Sequence, residues 1–234
     1  MTSAASKRSR PVVAIDGPAG AGKSTVAREV ARALGSVLVD TGALYRAVAL
    51  AARLRGVDRE DRARVEALSV ELVRSGALAM KAVAGAAPIV IVDGIERTDE
   101  LRTPDISQGA SVVSRYPMVR ESLLDLQRSF GRDGGVVLEG RDIGTVVFPD
   151  AEVKFFLTAT DEERARRRHE ELRERGDSST FESVLAEVRE RDARDAARDV
   201  APMRAADDAV LLDSSKLTIA EVVAIITERA RSRV

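Results

Sequence analysis

The sequence predicts an α/β protein, a parallel sheet flanked by helices, and three observations lead there. Short apolar, β-branched runs each stop abruptly at an acid, a glycine or a turn, as strands buried on both faces do. Segments of helical period alternate with these runs, and that alternation builds a layered parallel sheet. The composition can fill the core such a sheet needs: of 234 residues, 44% are hydrophobic and 32% are charged, which argues against wholesale disorder.

Taken in order, Val12 to Ile15 is the first strand. A glycine-rich stretch separates it from a helix over Ser24 to Leu34, which puts Val26, Val30, Ala33 and Leu34 on one face. Val37 to Val39, Val136 to Leu138, Val153 to Leu157 and Val210 to Leu212 supply the remaining strands of a five-stranded sheet. A last helix, Ile219 to Ala230, turns Val222, Val223 and Ile226 inward. Two segments break the rhythm. Residues 65–111 place turns at Ser75-Gly76, Gly85 and Asp93-Gly94 around the run Ile89 to Val92, the pattern of a small antiparallel insert. Thr160-Asp161-Glu162-Glu163 reads as a capping box opening an arginine-dense helix, Arg164 to Arg175, that stops at Gly176. Ser179-Thr180-Phe181-Glu182 then caps a helix running to about Asp199. Met1 to Arg10 has cations but no apolar stretch for export, so a short disordered basic tail on a cytoplasmic protein is expected.

Composition removes several chemistries. With 37 Lys and Arg against 38 Asp and Glu, the net charge of −1 argues against a dedicated nucleic-acid binder. Zero cysteines exclude disulfides, thiolate metal sites and cysteine nucleophiles together. The one histidine, His169, lies in the charge run Arg166 to Glu174 and is expected on a solvated helix face rather than in acid–base work. No run reaches the roughly 20 apolar residues of a membrane span.

One stretch carries positive evidence. Gly17-Pro18-Ala19-Gly20-Ala21-Gly22-Lys23-Ser24 fits GxxxxGK[ST] at each fixed position, with Thr25 following. It sits between a buried strand and an amphipathic helix, where backbone N–H groups and a helix N-terminus can converge on phosphate oxygens. Lys23 would neutralise the outer phosphates, and the Ser24 hydroxyl would ligate Mg²⁺. This fixes a nucleoside triphosphate as donor and leaves the acceptor open. No NKxD motif is present to read guanine.

Asp40-Thr41-Gly42-Ala43-Leu44-Tyr45-Arg46 ends the second strand, so a hydroxyl and a guanidinium project from the carboxyl edge, where open α/β sheets bind ligands. Another strand ends in Glu139-Gly140-Arg141-Asp142, and charges there are costly unless they face a cleft. Glu139 alone also reads as the metal-side acid that ends a Walker B strand. Arg191, Arg194, Asp195 and Arg198, spaced i, i+3, i+4 and i+7, share one helix face.

The IDGPAGAGKST loop, the DTGALYR segment, GRDIGTVVFPDA from Gly140 to Ala151, and ERDARD from Glu190 to Asp195 together resemble the bacterial cytidylate kinases, CMP/dCMP kinases of the nucleoside monophosphate kinase family. The likeness runs from about residue 11 to the C-terminus. It implies a P-loop kinase fold, with the core in 11–64, 112–159 and 181–234, an NMP-binding insert in 65–111, and a short LID in 160–180. It implies ATP with Mg²⁺ on Gly17 to Thr25, and CMP or dCMP as acceptor in a monomer. Thr41 and Arg46 would bind the CMP side, Arg141 and Asp142 phosphate and sugar, Arg191 and Arg198 phosphates, and Asp195 ribose. Ser111 and Arg120 match positions that recognise cytosine and its nucleotide, and Glu139 counts among the substrate-binding positions. The family often has Ser at position 41 and Asp at 139, so the extra methyl and methylene here bear on CMP versus dCMP preference. Catalysis would fall to Lys23, Arg141 and Arg191, with one of Arg164, Arg167 or Arg168 closing over ATP. The rival readings are another P-loop small-molecule kinase, of uridylate or shikimate type, and a nucleotide-dependent regulatory switch.

Overall fold

The computed structural model describes residues 8–83, 88–174 and 176–233. The expected turn at Gly85 and the helix end at Arg175 lie outside the described residues, as do the first seven. The sheet is parallel throughout, in the order β2 (Val37–Asp40), β6 (Val136–Gly140), β1 (Val12–Asp16), β7 (Val153–Thr158), β8 (Val210–Asp213). Among the described residues three other strands, β3 (Leu78–Lys81), β4 (Ile89–Val92) and β5 (Ile95–Glu96), form a separate antiparallel sheet. Asp93 and Gly94 join β4 to β5 with φ of 52° and 76°, the left-handed pair that a tight hairpin needs.

Alternation along each strand sends side chains to two different cores. Val12, Ala14, Val39, Val136 and Leu138 face α2 (Gly42–Leu54), α4 (Pro104–Val113) and α5 (Pro117–Ser129). Val13, Ile15, Val137, Phe155 and Leu157 face α1 (Lys23–Leu34) and α8 (Ile219–Arg231). In α1 the inward stripe is Val26, Ala27, Val30 and Ala31, with Leu34 at its edge, while Ala33 faces solvent, so the expected face is rotated slightly. The antiparallel sheet and α3 (Arg62–Arg74) share the first core through Val65, Leu72, Leu78, Val90 and Val92. Leu50, at the centre of α2, is fully buried in that core. Leu50→Ala is expected to cost about 2–5 kcal/mol and to lower Tm by roughly 4–20 °C in calorimetry; a Tm within about 2 °C of wild type would contradict this packing.

The helices α6 (Asp161–Glu174) and α7 (Phe181–Ala196) pack on one another through Ala165, Leu172, Val184 and Val188. The second of them, α7, ends at Ala196 rather than near Asp199. Only half of the expected capping box forms. Thr160 Oγ1 accepts the Glu163 N–H at 3.3 Å. The Thr160 N–H instead donates to Ser215 Oγ, and the Glu163 carboxylate takes Arg166 and Arg167.

Two further expectations are corrected. Arg8 and Arg10 belong to the folded body: Arg8 pairs with Asp150 (2.7 Å) and Glu152 (3.0 Å), and Arg10 donates to the carbonyls of Leu34 and Gly35 that end α1. His169 is half-buried, with Nε2 3.1 Å from the Ser179 carbonyl and its ring edge-on to Phe181, so it ties α6 to the start of α7. Among the described residues no helix is long and apolar enough to cross a membrane.

Candidate active site

Register brings the chemistry to one edge. Asp40 of β2 lies beside Glu139 of β6, and Ile15 and Asp16 of β1 lie beside Glu139 and Gly140. From β1 the chain enters the phosphate loop, where Gly17 has φ of 145° and a Cβ on it would stand 2.0 Å from the Leu157 carbonyl oxygen, so only glycine fits. Gly22, at φ 86°, is the left-handed cap from which α1 starts. Ala21 and Gly22 then lead into Lys23, which is buried and donates to the Pro18 carbonyl at 2.7 Å. Burial pushes the Lys23 amine well below the lysine range, and the cations of Arg141 and Arg191 push the same way, against Glu139 and Asp16.

Ser24 and Thr25, the first exposed residues of α1, complete the loop. Ser24 Oγ donates to Glu139 Oε2 at 2.9 Å. Burial and the neighbouring Asp40 raise the Glu139 carboxyl, while Lys23 and the Ser24 hydroxyl oppose them. A hydroxyl and a carboxylate at this distance beside a phosphate loop fit a hard cation that completes its shell with phosphate oxygens. The Glu139 side chain thus points to the phosphate loop, and its backbone carbonyl accepts Thr41 Oγ1 at 2.8 Å.

The opposite wall is built on α2, α4, α5 and α7. Arg46 pairs with Asp40 at 2.5 Å. Arg120 pairs with Asp142, donates to the Ser114 carbonyl at 3.2 Å and lies over the Tyr45 ring. Asp195 accepts from Arg141 Nε at 3.0 Å and pairs with Arg198, which also donates to Ser114 Oγ at 2.9 Å. Burial works to raise the Asp195 carboxyl, but Arg141, Arg198 and Arg191 together hold it below the usual carboxylate range. Burial and Arg141 push the Arg191 guanidinium down to about 10, and its Nε is buried without a hydrogen-bond partner. Ser111 Oγ is likewise buried and unpartnered. All of these groups line one cleft of about 810 Å³, together with Gly20 to Thr25, within the size range of ligand clefts.

Two expectations shift here. Arg194 leaves the expected stripe: it does not line the cleft, and its nearest acid is Glu190 at 3.9 Å. Arg164 is buried and internally bonded, to the Ala19 carbonyl (3.0 Å), the Ala159 carbonyl (3.1 Å), Asp161 and Asp192, so it fastens α6 to the phosphate loop and is not available to close on a ligand. Arg167 and Arg168 do line the cleft, Arg167 holding Glu163 and Ser214. Ser114 belongs to none of the motifs, and Asp16 stands in the IDGPAGAGKST stretch without an assigned role. Ser114 caps the end of α4, one turn beyond Ser111, and Asp16 carries the same signal as Glu139, a charge ending a buried strand.

A phosphate loop facing a second, arginine-lined anion site across the carboxyl edge of a parallel sheet defines a P-loop phosphotransferase. Residues 13–232 match the family described as Cytidylate kinase. Proteins named cytidylate kinase from Geobacter sp. (strain M21) and Pelotomaculum thermopropionicum are each 48% identical to this chain, covering 95% and 94% of it and 93% and 95% of their own lengths. One from Pseudomonas aeruginosa (strain UCBPP-PA14) is 49% identical over 91% of this chain and 92% of its own. The chain belongs to the cytidylate kinase family, and it is an ATP-dependent phosphotransferase.

Proposed function

We propose that the protein transfers the γ-phosphoryl group of Mg·ATP to CMP or dCMP, giving ADP and CDP or dCDP. The observation that carries the reading is a buried concentration of cations in the cleft: even beside Glu139, Asp16 and Asp195, the cations of Arg141 and Arg191 press the Lys23 amine down, and Arg191 has a buried unpartnered Nε. Such a cluster is relieved by a polyanion, and the phosphates of two nucleotides meeting end to end supply one.

In this reading the phosphate-loop amides and Lys23 hold the ATP phosphates, and Arg46, Arg141, Arg191 and Arg198 hold the acceptor phosphate. The acceptor oxygen is already anionic, so no general base is needed. Its lone pair forms the new bond to the γ-phosphorus, the bond from that phosphorus to the bridging oxygen breaks, and the electron pair stays with ADP. Lys23, Arg141 and Arg191 offset the charge on the moving group and hold the two phosphates in line. Ser24 and Glu139 would hold a magnesium ion that arrives with ATP, and such an ion would supply further neutralisation of phosphate charge. This puts the Glu139 carboxylate on the metal side rather than among groups that read the base. Ser111, Arg120 and Asp142 face the cytosine nucleotide, Asp195 the ribose, and Thr41 the same subsite. Arg167 and Arg168 are the lid arginines that remain to close over ATP. We expect the enzyme to act as a cytoplasmic monomer.

The test is a panel of acceptors with Mg·ATP, following ADP. ADP release that depends on CMP or dCMP, with little from AMP or shikimate, supports the reading. Slow release independent of any acceptor contradicts it in favour of a switch, and release driven only by UMP or shikimate contradicts it in favour of another kinase.

A further inference from the structure

Asp16 ends β1 immediately before the first glycine of the phosphate loop and is 3% exposed. Its Oδ1 accepts the Ile143 N–H and its Oδ2 the Gly144 N–H, both at 2.7 Å, from a segment more than 120 positions away in sequence. Those are the first two amides of a five-residue π turn, Ile143–Val147, which closes through Val147 N–H to the Asp142 carbonyl (3.2 Å) and Phe148 N–H to the Ile143 carbonyl (2.7 Å). The opening amides of such a turn have no partner within it, so Asp16 satisfies both. The turn packs closely at Gly144, where a Cβ would stand 3.2 Å from Lys154 Cδ and 3.4 Å from Asp16 Oδ2. Lys154 backs the turn from β7, with Nζ on the Pro149 carbonyl and on Asp208. Arg141 and Asp142, directly ahead of the anchored amides, line the cleft, whereas Asp16 does not.

We propose that Asp16 is a positioning residue: it clamps the loop bearing Arg141 and Asp142 to the strand bearing the phosphate loop, and thereby sets the spacing between donor and acceptor phosphates. The proposal rests on the functional reading above. Both Asp16 oxygens are occupied by backbone amides, so it acts through the loop and not on a nucleotide. Burial lifts its carboxyl to about 6, with Asp142 adding to the rise and the two amides and Lys23 opposing it, so near neutral pH it is the ionised form, with two acceptor oxygens, that holds the turn.

The test compares wild type, Asp16→Asn and Asp16→Glu for thermal stability, for kcat and KM with CMP, for affinity toward ATP in the absence of acceptor, and for hydrogen exchange at the Ile143 and Gly144 amides. Asn presents an NH₂ to one of the two amides, and Glu keeps the charge but moves the turn by a methylene. With Asn, kcat/KM for CMP is expected to fall by about 10²-fold, the loss that a displacement near 1 Å produces. With Glu it is expected to fall by about 10-fold, ATP affinity should stay within about 3-fold in both, and the two amides should exchange faster. If Asp16→Asn does not fold, Asp16→Glu decides alone. Wild-type CMP kinetics in a folded variant overturn the assignment, and so does a loss shared equally by ATP affinity and CMP turnover, which marks Asp16 as a fold staple. A wild-type enzyme inactive on CMP overturns instead the functional reading.

Discussion

Lys23→Ala is expected to lower kcat with CMP by about 10³-fold or more, as loss of a preorganised charge at the transferring group does, while the fold survives. The same position makes a second, less intuitive prediction about stability. In the folded protein the Lys23 amine is pushed down to about 7 from 10.5, by burial first and by Arg141 and Arg191 next. Between those values the folded state binds fewer protons than the unfolded chain, so this lysine makes stability rise as pH rises from about 7 to 10.5. At pH 7 the charged amine therefore sits in the nucleotide-free protein at a cost. Lys23→Met, which keeps the length of the side chain, is expected to hold Tm at or above wild type at pH 7 and to flatten the rise toward pH 10. Calorimetry across that range checks it; a Tm lowered by more than about 4 °C, roughly 1 kcal/mol in a chain of this size, would show the lysine to be a structural strut instead. A site that spends stability on aligned charge behaves in the predicted way.

Arg191→Ala carries the second large effect. The guanidinium stands beside Arg141 with a buried, unpartnered Nε, and Asp195 offsets its charge only in part, so it is held in readiness for an anion. Turnover with CMP is expected to drop by about 10²- to 10³-fold, mainly in kcat, with KM for CMP moving only a few-fold, the pattern of an interaction strongest in the transition state. Arg53→Ala is the matched control: Arg53 is 44% exposed and 3.4 Å from Asp105, a surface pair of about 0–1 kcal/mol. Equal mild effects of the two substitutions would return α7 to the role of a solvated helix.

How much of this was legible in the sequence depended on distance along the chain. The five strands of the parallel sheet, the phosphate loop and the hairpin at Asp93-Gly94 are local patterns, set by apolar runs and by residues that tolerate positive φ, and each forms where its pattern lies. The spacing of Arg191 and Asp195 also survives, because a helix converts spacing directly into a face, whereas Arg198 reaches the same cleft from just beyond the end of α7, held by Asp195. What could not be read was which side of a charged helix turns inward. Arg164 and Arg167 look alike in the run Arg164 to Arg168, yet one is buried against the Ala19 carbonyl and the other faces the cleft, and only the docking of α6 on the phosphate loop decides between them. Arg8 was expected in a loose tail for the same reason: its acids, Asp150 and Glu152, lie more than 140 positions away. Asp16 gives a weaker signal than the glycines that follow it, although a carboxylate ending a buried strand has to find partners somewhere.

The central claim is that the cleft aligns two phosphates so that one passes from ATP to a cytidine monophosphate. Incubating the enzyme with Mg²⁺, CMP and ATP labelled at the γ-phosphorus, then locating the label, tests it most directly. The label is predicted in the β-phosphate of CDP, formed in step with ADP, with little released as inorganic phosphate. Label appearing as inorganic phosphate at the same rate with and without CMP would contradict the claim.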